Sequence, residues 1–146
     1  MEKSINILLV DDNDDDAFFV ERAFKSAGIP VHISRCIDGE EAINYLDGKP
    51  PFTKVSFHPR PDFVLLDLKL PVKDGLDVLA WIRSNEAYSN LIVAVLTSSA
   101  NKRDIERAYK LNANAYLIKP GTLEGMVEMA RAINFCWLQT CLRLRT

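Results

Sequence analysis

Long apolar runs are missing from this chain of 146 residues. The stretch after Met1-Glu2-Lys3-Ser4 stops at Val10, far short of the roughly 20 residues a membrane helix needs. It also lacks a secretion-signal cleavage pattern, so the expected location is the cytoplasm, with no membrane association. Cysteine is scarce: Cys36, Cys136 and Cys141 make an odd number and form no C-x-x-C pair. That argues against a disulfide framework and for reduced, mostly buried thiols. His32 and His58 are isolated, which leaves no histidine metal centre and no obvious phosphocarrier. An excess of one charge is missing too. Eighteen Lys and Arg face 20 Asp and Glu, for a net charge of −2, so nothing electrostatic points to nucleic acid or an anionic membrane. Internal repeats, low-complexity segments and interdomain linkers are absent. The expectation is one domain over residues 1–146 with no output domain.

What is present is an alternation. Ile5 to Val10 is a short apolar run that stops at acids and reads as a buried strand. Asn13 or Asp14 can cap the helix that follows, whose apolar stripe is Ala17, Val20, Phe24 and Ala27 and which ends at Gly28-Ile29-Pro30. Val31 to Ile37 is a second strand. Asp38 opens a short helix with Glu41 three residues on, and this helix ends near Gly48. Pro50, Pro51, Pro59 and Pro61 mark residues 49–61 as a long loop. Phe63 to Leu66 is a third strand, Leu91 to Leu96 a fourth and Ala115 to Ile118 a fifth. Helices with Val78, Leu79 and Ile82, then Ile105, Ala108 and Leu111, lie between them, and a last helix runs from about Thr122. Strands apolar throughout are covered on both faces. The expected fold is therefore α/β, a five-stranded parallel sheet wound on both sides by helices.

In such a sheet, functional groups gather at the carboxyl ends of the strands. Those ends carry Asp11-Asp12, Asp67, Thr97-Ser98-Ser99 and Lys119-Pro120. Three carboxylates brought together raise one another's pKa unless a cation intervenes, and Mg²⁺ is the natural cation for oxygen ligands. A carboxylate-held metal beside a lysine and a hydroxyl suits the arrival of a phosphoryl group on a carboxylate, because each of those groups spreads the phosphoryl charge. Asp14-Asp15-Asp16 is read differently: acids in the first turn of a helix are favoured by its dipole, and this outweighs a ligand role.

The ordered set Asp11-Asp12, Asp67, Thr97 and Lys119-Pro120, each after its own strand, resembles the response-regulator receiver family. The resemblance covers nearly the whole chain and implies a flavodoxin-like fold with strand order 2-1-3-4-5. It implies that Asp67 accepts the phosphoryl group and that Asp11, Asp12, Asp67 and the backbone carbonyl of Lys69 hold Mg²⁺. It implies that Thr97, with Ser98, and Lys119 bind the phosphoryl oxygens, that Tyr116 is an aromatic switch, and that Pro120 follows a cis bond. Leu70-Pro71 and Asp74-Gly75 match the family's turn after the acceptor. The family commonly has Asn where Lys69 stands, so Lys69 is a departure. The implied partner is a histidine kinase or a histidine phosphotransfer protein. The proline-rich insertion is similar to that of small regulators paired with bacterial phytochrome kinases.

Competing readings are a phosphorelay shuttle, a degenerate docking module and a phosphohydrolase of the haloacid-dehalogenase kind. The last resembles an Asp-x-Asp pattern at the nucleophile, and Lys69 stands where its second acid belongs. At the end of the chain, Ile133, Phe135, Cys136, Trp137, Leu138, Cys141 and Leu142 put apolar groups nearly all round a helix. Such a helix wants cover on a second side. Phe135, Trp137, Leu138 and Cys141 are the expected contact surface for a second copy or another partner.

Overall fold

The computed structural model describes residues 5–54 and 57–139. Its five strands are β1 (Ile5–Val10), β2 (Val31–Cys36), β3 (Phe63–Leu66), β4 (Ile92–Thr97) and β5 (Ala115–Ile118). They form one parallel sheet in the order β2-β1-β3-β4-β5, the flavodoxin-like order. The helices are α1 (Asp14–Ser26), α2 (Gly39–Asp47), α3 (Gly75–Ser84), α4 (Lys102–Lys110) and α5 (Leu123–Ile133).

Each helix begins where a side chain can satisfy an orphan backbone N–H. Asn13, Asp38, Asp74, Asn101 and Thr122 are the caps, and Asp74 with Asp77 completes a reciprocal capping box. Gly48 closes α2 with φ +67°, the left-handed conformation glycine adopts without steric cost.

The central strands alternate between two apolar layers. Leu8, Val10, Val64, Leu66, Val93 and Val95 pack with α2, α3 and Ala108 of α4. Ile7, Leu9, Phe63, Leu65, Ala94 and Leu96 pack with α1 and α5. Fully burying each Leu, Ile or Phe stabilises the fold by about 1.5–3 kcal/mol, so the two layers together hold the sheet rigid behind its carboxyl edge.

The proline-rich loop before β3 is anchored by an aromatic group rather than left loose. Phe52 and His58 stand edge-on to one another with ring centroids 5.1 Å apart, and both contact Tyr45 of α2. The Tyr45 hydroxyl lies 3.0 Å from the Ser34 hydroxyl and donates to the Pro59 carbonyl at 2.8 Å. His58 thus packs the loop onto α2.

Two expectations need correcting. The Lys119–Pro120 peptide is not cis; the cis bond among the described residues is Pro50–Pro51. The two X–Pro isomers differ by only about 0.5–1 kcal/mol, so a resemblance alone does not settle which is adopted. The expected C-terminal contact surface is also divided. α5 gives way at Asn134–Gln139 to a π-helical segment, whose i→i+5 bonding changes which positions face the sheet. Leu138 is buried in the α1–α5 layer, and Trp137 packs on Phe63 with centroids 5.9 Å apart. Phe135 stays on the surface, and Cys141 lies outside the described residues.

Candidate functional site

Strand register builds the site. Val10 of β1 pairs with Leu66 of β3, so Asp11 and Asp67 stand side by side one residue further on. The Asp11 N–H donates to Cys36 and the Asp67 N–H to Val10, both at 3.0 Å, extending the ladders past the strand ends. Thr97 pairs with Ile118 of β5, and the next N–H, that of Lys119, donates to the Thr97 carbonyl at 2.8 Å. Asp11, Asp67 and Thr97 are the buried polar side chains among the described residues, and all three lie on this edge.

The side chains converge. The Lys119 ammonium contacts Asp67 Oδ2 at 2.8 Å, Asp16 Oδ2 at 2.8 Å and Asp11 Oδ2 at 2.9 Å. Asp11 Oδ1 accepts the Asn13 N–H at 2.9 Å, and Asp67 Oδ1 accepts the Lys69 N–H at 3.3 Å. An open cleft above them is lined by Asp12, Asn13, Asp16, Asp67, Lys69, Thr97, Ser98, Ser99 and Lys119. Burial would lower the Lys119 pKa, but hydrogen bonds to Asp16, Asp67 and Asp11 outweigh it and hold the ammonium above the ordinary lysine value. Burial pushes the Asp11 carboxyl up, and Asp67 adds to this against the opposing pull of the Asn13 N–H and Lys119.

Asp11, Asp12 and Asp67 each offer a carboxylate oxygen, and these atoms lie within 4.8 Å of one another. Three acids at that spacing repel, and one shared ammonium does not neutralise them. The donor set, all oxygen and rich in negative charge, fits a hard divalent cation. Asp12 is exposed, so a cation held here would remain open to water on one side.

Tyr116 sits behind this edge. Its hydroxyl donates to the Ser99 carbonyl at 2.8 Å, tying β5 to the loop after β4. Burial, with Asp104 and Asp67 nearby, holds its phenol above the usual tyrosine value. The Ser99 hydroxyl donates to Asp104 at 2.7 Å, which fastens the same loop to α4.

The structure therefore brings Asp11, Asp12, Asp67, Lys69, Thr97, Ser98 and Lys119 to one edge, with Tyr116 adjoining. Sequence reasoning missed two members. Asp16 reaches Lys119 across 103 residues of chain, although it does occupy the first turn of α1 as read. Arg35 of β2 donates from Nε to the Asp11 carbonyl at 3.1 Å and pairs with Asp14 at 2.8 Å, bracing the loop that carries Asp11 and Asp12. The D-x-x-x-D spacing from Asp12 to Asp16 was the one available signal for the first, since α1 starts between them; nothing in the sequence marked the second.

Comparison with known proteins agrees with this geometry. The family model "Response regulator receiver domain" matches residues 7–131. The chain is 37% identical over 134 residues to response regulator Rcp1 of Synechocystis, covering 92% of this chain and 89% of that protein. It superposes with TM-score 0.90 on the phosphorylated cyanobacterial phytochrome response regulator RcpA, at 34% identity, covering 98% of this chain and 100% of that one. It superposes with TM-score 0.85 on the Mn²⁺-bound form of Rcp1, at 35% identity, covering 97% and 99%. On a family match spanning most of the chain and a five-stranded sheet whose acids meet at its carboxyl edge, this protein belongs to the response regulator receiver domain family.

Proposed function

We propose that the protein is a phosphorylation-driven switch whose acceptor is Asp67, loaded by a histidine kinase of the phytochrome type. The observation that carries the reading is the meeting of the Asp67 carboxylate with Lys119 Nζ at 2.8 Å inside the Asp11–Asp12–Asp67 cluster. In the transfer, a carboxylate oxygen of Asp67 forms a bond to phosphorus while the bond from phosphorus to the donor nitrogen breaks. The imidazole leaves with its electron pair and takes up a proton. Asp11, Asp12, Asp67 and the Lys69 carbonyl would hold Mg²⁺, which when bound offsets charge on the phosphoryl oxygens. Lys119 supplies a second positive charge, and Thr97 and Ser98 supply hydroxyl donors at the cleft.

The readout follows from the same contacts. A phosphoryl group that draws the Thr97 hydroxyl toward Asp67 pulls it from the Ser99 N–H, 3.4 Å away, and Ser99 in turn holds the Tyr116 hydroxyl through its carbonyl. The two arrangements are states in equilibrium, biased by one local charge. The phytochrome assignment rests on similarity to Rcp1 and RcpA over nearly the full chain. A cytoplasmic location suits such a kinase, and among the described residues no helix is long and apolar enough to cross a membrane. The half of the C-terminal surface that stays outside, around Phe135, is where a second copy would meet this one.

Incubation with Mg²⁺ and acetyl phosphate, followed by intact-mass measurement, tests the acceptor. Wild type should gain one phosphoryl group, and Asp67→Asn or chelated wild type should gain none. Uptake by Asp67→Asn would remove Asp67 from the role. Sizing the same samples would show whether loading changes the assembly.

A further inference from the structure

The Lys119 ammonium donates to Asp16 and Asp67, both at 2.8 Å, and forms an ion pair with Asp11 at 2.9 Å. With no cation at the clustered acids, the ammonium is fully engaged by carboxylates. Two of the three acceptors, Asp11 and Asp67, belong to the set whose oxygens lie close enough to share one cation. Asp16 does not belong to that set, although it lines the same cleft. A cation at the three clustered acids would draw Asp11 and Asp67 away from Lys119 and leave Asp16 as its remaining anionic partner. The backbone of Asp16 is also anchored. Its own N–H donates to the capping oxygen of Asn13 at 2.9 Å, which fixes the backbone from which the carboxylate reaches Lys119.

We infer that Asp16 competes with an incoming phosphoryl group for the Lys119 ammonium and so sets how firmly the site holds that group. The inference rests on the reading of Asp67 as acceptor. Two physical effects point the same way. Asp16 holds the ammonium in an ion pair at 2.8 Å that a phosphoryl oxygen must share, and its negative charge repels the phosphoryl oxygens directly. Its side chain is 34% exposed, so solvent screens both effects without removing them. Asp16 is thus a positioning residue acting through Lys119, and it weakens the loaded state.

The test uses beryllofluoride, a tetrahedral mimic of a phosphoryl group, titrated calorimetrically into the Mg²⁺-saturated chain. Asp16→Asn should bind it about two- to fivefold more tightly than wild type, the scale of one partly screened charge interaction. Asp16→Glu, which keeps the charge, should stay near wild type, and the gain should shrink in high salt. Thermal melts and a second variant, Asp16→Ala, guard against a folding artefact, because a role confined to the start of α1 would shift the melt without tightening binding. Equal or weaker binding by both neutral variants would overturn the inference, the weaker case meaning that Asp16 steadies Lys119 for the phosphoryl group. Asp67→Asn should not bind. If wild type also fails to bind, the acceptor reading falls and takes this inference with it. If wild type binds and the neutral variants are no tighter, only this inference falls.

Discussion

Within the sheet, Leu8, Phe63, Leu65 and Leu66 are fully buried among apolar neighbours. One step beyond them, Asp11, Asp67 and Thr97 are almost as deeply buried, and Asp11 and Asp67 meet charge instead. The strands are the same and the burial is similar, but the chemistry that makes burial tolerable is opposite. An apolar side chain gains by leaving water. A carboxylate loses, unless partners make good the lost hydration. At this edge three acids, Asp11, Asp16 and Asp67, gather around one lysine, and Asp12 stands against two of them. The edge is therefore under mutual repulsion, which a cation would relieve. The interior should accordingly carry stability, and the edge should carry binding, so that substitutions in one leave the other largely intact.

The sharpest way to break that comparison is Asp67→Asn. Removing a charge from a crowded acidic edge relieves repulsion and costs one ion pair with Lys119, so the stability change should stay within about 1 kcal/mol. Phosphoryl uptake should vanish entirely. Intact mass and a urea melt on the same preparation decide it, and a loss of several kcal/mol would mean that the edge is structural after all. The opposite case is Phe63→Ala. Phe63 is fully buried and packs against Trp137. Its truncation should cost about 3–5 kcal/mol in urea unfolding, with uptake per folded molecule unchanged. Loss of uptake under conditions where the chain remains folded would show that the layers tune the site.

One position belongs to both regions. A Cβ added at Gly75 would lie 2.1 Å from the Asp67 carbonyl oxygen and 2.7 Å from the Leu68 Cα, both backbone atoms with nowhere to go. Gly75→Ala should destabilise by about 1–3 kcal/mol, as overpacking does. It should also slow phosphorylation from acetyl phosphate, because the atom displaced is part of the acceptor residue. A melt shift without a rate change would place the strain elsewhere. Cys36 offers a milder check on the interior. Burial, with Glu41 and Asp38 nearby, holds its thiol far above the ordinary cysteine range. The thiolate is therefore suppressed, and in native protein at pH 8 Cys36 should stay unlabelled by a disulfide reagent that modifies the exposed Cys136.

Much of this was readable from the chain because it depends on local pattern. The five strands, their capped helices and the residues at their carboxyl ends follow from runs of apolar residues and the acids, hydroxyls and lysine that stop them. What was not readable depends on side-chain reach across the fold or on small energy differences. Asp16 stands in the first turn of α1 as its dipole predicts, but its contact with Lys119 exists only once the assembled sheet brings the end of β5 to the same carboxyl edge. The Pro120 isomer turns on less energy than a typical hydrogen bond to a charged group. Phe135, Trp137 and Leu138 belong to a segment apolar nearly all round, where sequence alone does not say which side meets the core; the π-helical segment buries Leu138 and leaves Phe135 outside.

The turn between Asp67 and α3 holds the least expected feature and the smallest predicted effect. Val72 has φ +68°, in the left-handed region that β-branched residues rarely enter, and its side chain is 71% exposed. That conformation costs an L-residue about 1–2 kcal/mol, and a mostly exposed valine recovers little of it by burial. Asparagine tolerates the same backbone, so Val72→Asn should stabilise the fold by about 0.5–1 kcal/mol, a gain smaller than the steric relief alone because the valine methyls are not wholly in water. If Val72 is merely strained, the gain in urea melts should come with unchanged uptake from acetyl phosphate. Should uptake from a kinase fall while uptake from acetyl phosphate holds, the valine would be a docking contact on the rim of the acceptor. The division between a stabilising interior and a binding edge would then extend one turn beyond the sheet.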